Sequence, residues 1–153
     1  MNGNSSLFTS LSWPKAKTPK RAEVLNFMNS VLPWPRLEEI AKRVHVEKRA
    51  TGRPGYPTKM MVRVAVLQMI YRLSDEGTES LILDSHAAAH FAGLDPWRPR
   101  PPGASAIRNF RNLLRREMLL EEIQIEIFAA LNLAGAFFQP GAIIEPVIRR
   151  RGK

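Results

Sequence analysis

The segment that most constrains the fold of this chain is the apolar run Met60–Tyr71. Only Arg63 and Gln68 interrupt it, so the polar residues cannot form a continuous face. A helix that is apolar almost all the way round is stable only when other elements cover it. Pro57 suits the first turn of such a helix, and Ser74 is typical of the N-cap of a following one. We therefore expect this segment to be the central helix of one domain, with the preceding basic turn GRPGYP presented beside it.

Apolar spacing, prolines and capping residues predict six more helices around this centre. The first two begin at Pro19 and Pro35, two short ones cover Asp75–Leu83 and His86–Ala92, a sixth is capped by Ser105, and the last runs over Leu120–Ala134. The fold class we predict is all-α, a compact orthogonal bundle of about six or seven helices. We expect a flexible tail at residues 1–18, a helical domain at 19–138, and a short β-like run at 142–148 within a basic tail at 139–153.

The balance of charge favours a polyanionic partner. The 153 residues contain 23 Lys and Arg against 14 Asp and Glu, a net charge of +9, and 17 of the basic residues fall between Lys20 and Arg116. Nucleic acid is the first expectation and an acidic membrane surface the second. The absence of cysteine excludes disulfides, thiolate chemistry and cysteine-based zinc sites. No apolar run is long enough for a signal peptide or a membrane span, so we expect an intracellular protein with no membrane partner.

Two stripes run along the sixth predicted helix, SAIRNFRNLLRRE. The apolar stripe consists of Ile107, Phe110, Leu114 and Met118. The basic stripe, about 100° round the helix, consists of Arg108, Arg111 and Arg115, with Asn109 and Arg116 beside it. The planar fork of arginine matches phosphate oxygens and the edge of guanine. The alternative is a solvated basic face paired with Glu117, Glu121 and Glu122; the net charge favours nucleic acid.

The turn GRPGYP is a second candidate contact. Gly52 and Gly55 permit close approach of the backbone, and Arg53 lies between them with Lys48 and Arg49 upstream. A glycine-flanked arginine is one way to reach a minor groove. A tight turn with incidental charge is the alternative interpretation.

His86 and His90 lie four residues apart, a spacing that can hold a metal ion on one helix face. Asp84 is near, but no cysteine or glutamate completes a ligand set, so solvent-facing or buried structural histidines are favoured. No phosphate-binding loop, dinucleotide fingerprint or hydrolase elbow is present. Adjacent acids such as Glu121 and Glu122 point to different helix faces, so we expect them to be solvated rather than catalytic.

Five segments that occur in one order carry a family resemblance. They are PKAKTPKRAEVLNFMNSVLPWPRLEEI, GRPGYPTKMMVRVAVLQMIYRLSDEGTESL, HFAGL, AIRNFRNLLRRE and GAIIEPVI. From about Lys15 to Ile148 the chain resembles the N-terminal part of insertion-sequence-five family (InsH-type) DDE transposases. The resemblance implies a helical region that binds the terminal inverted repeats of a mobile element and helps to assemble the transposase.

The resemblance also implies what should follow this region. Family members continue into an RNase H-like domain in which three acids hold two Mg²⁺. The position of the first acid is Glu145 here, followed by Pro146, and the sequence has eight residues after it. We therefore expect no catalytic residue in this chain, with Glu145 inactive, and no cofactor, Mg²⁺ being needed only by full-length relatives.

Two departures from the family pattern bear on the sixth helix. The family has an Asp-x-Thr-Thr cap before that helix, whereas Gly103-Ala104-Ser105-Ala106 stands here, which predicts a weaker cap. A family glycine between the last two helices is Met118, so those helices are expected to run on as one.

Three interpretations of function follow. The first is a truncated transposase that binds double-stranded DNA as a regulator, in the bacterial cytoplasm and at the nucleoid when bound. The second is the first half of a split or frameshifted transposase. The third is a helical interaction module that forms a homo-oligomer or joins a full-length transposase. The predicted DNA contacts are Arg49, Arg53, Lys59, Arg108, Arg111, Arg115 and Arg116.

Overall fold

A computed structural model describes residues 20–44, 55–94, 100–139 and 147–150. Within them the fold is all-α and compact, as predicted, with a short two-stranded ribbon at its C-terminal end. The helices are α1 (Lys20–Val31), α2 (Trp34–Ala41), α3 (Thr58–Tyr71), α4 (Asp75–Asp84), α5 (His86–Ala92), α6 (Ala104–Arg116) and α7 (Leu119–Leu133). The strands are β1 (Ala136–Gln139) and β2 (Val147–Arg150). None of the described helices is long and apolar enough to cross a membrane.

The apolar segment is the centre of the bundle, which confirms the first prediction. Ten of the 14 residues of α3 are buried, and α3 contacts α2, α4, α5 and α6. Pro57 occupies the N-cap position rather than the first helical turn. Because α3 is covered on nearly every side, Arg63 and Gln68 in its apolar run need hydrogen-bond partners from other helices, and both have them.

The first two helices are separated by Leu32 and Pro33, and Pro33 is the N-cap of α2. Leu25 and Met28 of α1 and Leu37 of α2 are among the most buried side chains of the core. Trp34 begins α2 and its indole Nε1 donates a hydrogen bond to the backbone oxygen of Asn29, 3.0 Å away. This bond fixes the corner between α1 and α2.

The serine caps of α4 and α5 are confirmed. The Ser74 hydroxyl accepts a hydrogen bond from the Gly77 amide at 3.0 Å, and the Ser85 hydroxyl accepts one from the Ala88 amide at 3.2 Å. Gly93 ends α5 with φ of +81°, a conformation in which glycine has no steric penalty. Each capping residue lies within three residues of the group it caps, so the limits of α4 and α5 could be predicted from the local sequence.

The predicted cap of α6 is wrong. The helix begins two residues earlier than Ser105 requires, with Gly103 as its N-cap and no side-chain bond from that residue. The carboxylate of Glu79, from α4, accepts the Ala104 amide proton at an N···O distance of 2.6 Å. A negative charge at a helix N-terminus also interacts favourably with the helix dipole. The cap missing from the local sequence is therefore supplied by a neighbouring helix.

The expectation that α6 and α7 run on as one helix is also wrong. The helix is interrupted at Glu117 and Met118, where Met118 adopts the left-handed conformation with φ of +59°. Its side chain is 66% exposed, so it does not complete the apolar stripe of α6. The turn therefore keeps the backbone conformation that suits glycine although the residue is methionine.

The ribbon pairs β1 with β2 in antiparallel register, with Phe137 opposite Arg149. The predicted β-like run at 142–148 overlaps β2 only at its last two residues, and residues 140–146 lie outside the described part of the chain. Gly135, with φ of +68°, turns the chain from α7 into β1. The strand partner was missed because β1 directly continues a helical apolar pattern.

Candidate nucleic-acid interface

Helix α6 presents two different faces, as its stripes predicted. Ile107 and Leu114 are buried in the core, and Phe110 packs partly buried against it. The arginines lie on the remaining surface of the helix. The packing therefore fixes the direction in which the basic stripe points.

Two of the three stripe arginines are bound to one buried carboxylate. Asp75, at the start of α4, is only 5% exposed. Its Oδ2 accepts hydrogen bonds from Arg111 Nη2 at 2.9 Å and from Arg108 Nε at 3.4 Å. Its Oδ1 accepts one from Gln68 Nε2 of α3 at 2.9 Å. Asp75 therefore joins α3, α4 and α6 and satisfies the polar Gln68 of the central helix.

The two arginines differ in what remains available to a ligand. Arg111 is mostly covered, and its Nε is buried without a hydrogen-bond partner among the described residues. Arg108 is about half exposed and also donates from Nη2 to Glu76 at 2.7 Å. Arg111 thus has a structural role, whereas Arg108 keeps part of its guanidinium at the surface.

The acidic partners proposed for the stripe were wrong in part, because the acids that bind it come from α4. Glu122 instead pairs with Arg43 and with Arg36, joining α7 to α2. Hydrogen bonding from Arg43 lowers the pKa of the Glu122 carboxyl, against a smaller opposing effect of desolvation. Glu122 therefore forms salt bridges between helices and is not merely a solvated acid. Hydrogen bonds to Glu126 and then Glu39 raise the pKa of Arg36.

Arg115 and Arg116 are the two arginines of this helix that pair with no other described residue. Both are exposed in the last turn of α6, and neither makes a hydrogen bond or salt bridge to another described residue. Cations in a last helical turn interact favourably with the helix dipole, so the position itself does not oppose their charge. Their guanidinium groups remain available for an anionic ligand.

The remaining predicted contacts fall partly within the described residues. Lys59 is exposed in the first turn of α3. Just before it, the Tyr56 hydroxyl donates to the Pro101 oxygen at 3.3 Å, which ties the end of the GRPGYP turn to the loop before α6. This bond therefore joins Tyr56, just before α3, to the loop that leads into α6. Arg49, Arg53 and Glu145 lie outside the described residues.

The structure also brings Lys59 beside a residue that sequence reasoning assigned only to the core. Arg63 is partly exposed and lines the same groove as Lys59, His86 and His90. The signal was present in the sequence, since Lys59 and Arg63 are four apart on one helix and the histidines four apart on another. Among the described residues no group of three or more His, Cys, Asp or Glu could hold a metal ion.

Comparison with known proteins gives one family. A family model described as a transposase domain (DUF772) matches residues 14–113. That range is about two thirds of the chain and extends from before α1 into the last turns of α6. No solved structure matches the chain.

Proposed function

The chain belongs to the transposase domain (DUF772) family, and on that premise we propose that it binds double-stranded DNA at the terminal inverted repeats of a mobile element. The ordered motifs that resemble InsH-type transposases support the finer assignment to that type. The observation that carries the proposal is the pair Arg115 and Arg116, exposed and without an acidic partner among the described residues, on a helix fixed by its opposite face.

The proposed contact follows from the packing of α6. The buried stripe and the cap from Glu79 hold the helix in place, so the backbone that carries the surface arginines needs no ordering when a duplex binds. Arg115 and Arg116 contact backbone phosphates, and the exposed part of Arg108 extends the basic surface toward the other end of the helix. Lys59, with Arg49 and Arg53 of the preceding sequence, forms the second contact.

A mobility-shift titration of a duplex carrying the matching inverted repeat tests this function. We expect a complex that tightens as salt is lowered, and that forms more weakly with a scrambled duplex of the same length. Equal affinity for both duplexes would remove the assignment to inverted repeats and leave only charge-driven binding. Absence of a complex at low salt would overturn the proposal.

We further propose that this chain contributes binding and not DNA cleavage. The resemblance places Glu145 where the family has its first catalytic aspartate, and the sequence offers Pro146 directly after it. A supercoiled plasmid incubated with the chain and Mg²⁺ should remain uncut. Mg²⁺-dependent nicking that is lost in Glu145→Gln would contradict this assignment and favour a catalytic part.

A second candidate function rests on α7. Ile125, Phe128 and Leu133 are 67%, 56% and 89% exposed, an apolar set unusual for a free helix surface. We propose that this face can also join a second copy of the chain or a full-length transposase. Light scattering should then show a dimer that the Phe128→Glu variant converts to a monomer. A monomer at every concentration would exclude self-association.

A further inference from the structure

Two pairs of basic side chains line one groove, which includes no residue of the arginine stripe on α6. Lys59 and Arg63 lie one turn apart on α3, and His86 and His90 lie one turn apart on α5. All four line a groove of about 630 Å³ bounded by α1, α3 and α5. Alanines, asparagines, Leu25, Phe91 and Gly93 complete the lining, and it includes no carboxylate from the described residues.

Arg63 is a cation with too little counter-charge for its burial. Its guanidinium lies over the Trp34 ring, 4.0 Å from the ring centroid, and Nη1 donates to Asn29 Oδ1 at 2.9 Å and to the Phe91 oxygen at 3.1 Å. Burial lowers its pKa, and the charge of Glu38 opposes that effect only partly. No described carboxylate forms a salt bridge with it, and Nε and Nη2 have no hydrogen-bond partner among the described residues.

The positive charges in the groove favour an anionic ligand over a cation. Lys59 and both histidines add donors, and Lys59 adds a second fixed positive charge to the groove. A metal cation would be repelled by these neighbours, so the four-residue spacing of His86 and His90 does not indicate a metal site here. An anion would be attracted, and oxygen atoms with several lone pairs would satisfy the free donors of Arg63.

We propose that this groove binds a phosphate group, with Arg63 at its base and Lys59, His86 and His90 around it. A duplex backbone and a free phosphate present the same oxygens, and the proposal covers both sources. Where the source is the backbone, the inference rests on the proposed DNA binding and adds a contact separate from Arg115 and Arg116. Trp34 and Asn29 hold the guanidinium in place before the ligand arrives.

The first arm of the test uses inorganic phosphate. In the full chain labelled with ¹⁵N, side-chain signals of Arg63 and both imidazoles are followed while phosphate replaces chloride at constant ionic strength and pH. We expect saturable shifts confined to the groove. The double variant His86→Ala/His90→Ala, which leaves the proposed DNA contact Lys59 in place, should weaken phosphate binding about tenfold, since hydrogen bonds to a charged ligand are lost. Both side chains are exposed, and a melting curve confirms that the variant is folded.

The second arm titrates a DNA duplex with the same variant and with Arg115→Gln/Arg116→Gln. A loss of duplex affinity in the groove variant supports a backbone source. Saturable phosphate shifts with unchanged duplex affinity support a free phosphate source. If the Arg115/Arg116 variant binds DNA normally while the groove still shifts with phosphate, the proposed DNA interface fails and the groove assignment stands. No saturable shift with phosphate, together with unchanged duplex affinity of the groove variant, overturns the inference.

Discussion

At the scale of single residues, Asp75 connects three helices through one side chain. Its carboxylate is buried, begins α4, and accepts hydrogen bonds from Gln68, Arg108 and Arg111. The two arginines lie 33 and 36 residues away from Asp75 in sequence, so no local pattern indicates that they meet it. The Ser74 and Ser85 caps were predictable because cap and amide lie three residues apart, whereas the cap from Glu79 to Ala104 spans 25 residues.

Replacing Asp75 tests this role. Asp75→Asn keeps the shape but removes the charge and turns an amide group toward two arginines, one of them mostly buried. We expect a loss of about 2–4 kcal/mol in the free energy of unfolding, because a buried charge pair is broken on one side. Urea unfolding measures it.

The matched control is Glu76→Gln, which removes a neighbouring exposed partner of Arg108. It should cost less than about 1 kcal/mol. Equal losses in the two variants would show that burial of Asp75 adds nothing to its pairing.

Replacing Met118, in contrast, should increase the free energy of unfolding. Its side chain is exposed and its φ of +59° is unfavourable for any residue with a Cβ. Met118→Gly should therefore raise the free energy of unfolding by about 0.5–1 kcal/mol, the relief of backbone strain exceeding the extra entropy of the unfolded chain. Thermal melting measures the change. Met118→Ala is the control, since it shortens the side chain and keeps the strain, and a gain as large as that of glycine would attribute the effect to the side chain.

At the scale of helices, inter-helix charges join elements that the apolar core already brings together. Apolar periodicity predicted α1, α2, α3 and α7 well, because each buries one face or nearly all of its surface. The same periodicity could not predict the end of α6 at Arg116, because the turn there depends on backbone conformation at Met118. It also could not assign partners to the arginine stripe, since the spacing of charges on one helix says nothing about the next.

The α2–α7 pairing predicts a dependence of stability on pH. The pKa of Glu122 is lowered in the folded state, so its contribution is present above the unfolded pKa of about 4.3 and is lost as pH falls through the lower folded value. Glu122→Gln should therefore lose less stability than the parent on acidification from neutral pH to below about 4. Urea midpoints across that range measure it.

Glu121→Gln is the control for this effect. Glu121 is adjacent and exposed, and it forms no salt bridge with another described residue. Its replacement should leave the acid profile of the parent unchanged. An acid profile of Glu122→Gln that coincides with the parent would mean that the pair with Arg43 does not survive in solution.

At the scale of the whole molecule, a buried helix positions two basic regions. Residues of α3 contact both α6, which carries the arginine stripe, and α5, which carries the histidines of the groove. The central position of α3 followed from its sequence, and so did the basic character of α6. The groove did not, because it forms only where α1, α3 and α5 meet. Net charge predicts a polyanionic partner, and the fold shows which arginines of α6 pair with no other described residue.

The most direct test of DNA binding through α6 is the salt dependence of duplex affinity, measured by fluorescence anisotropy for the parent and for Arg115→Gln/Arg116→Gln. We expect the logarithm of affinity to fall linearly with the logarithm of salt, with a slope smaller by about 2 in the variant, one for each lost phosphate contact. Lys42→Gln/Arg72→Gln removes two exposed charges outside α6 and should change the slope less. If the Arg115/Arg116 variant keeps the affinity and slope of the parent, α6 is not the DNA interface.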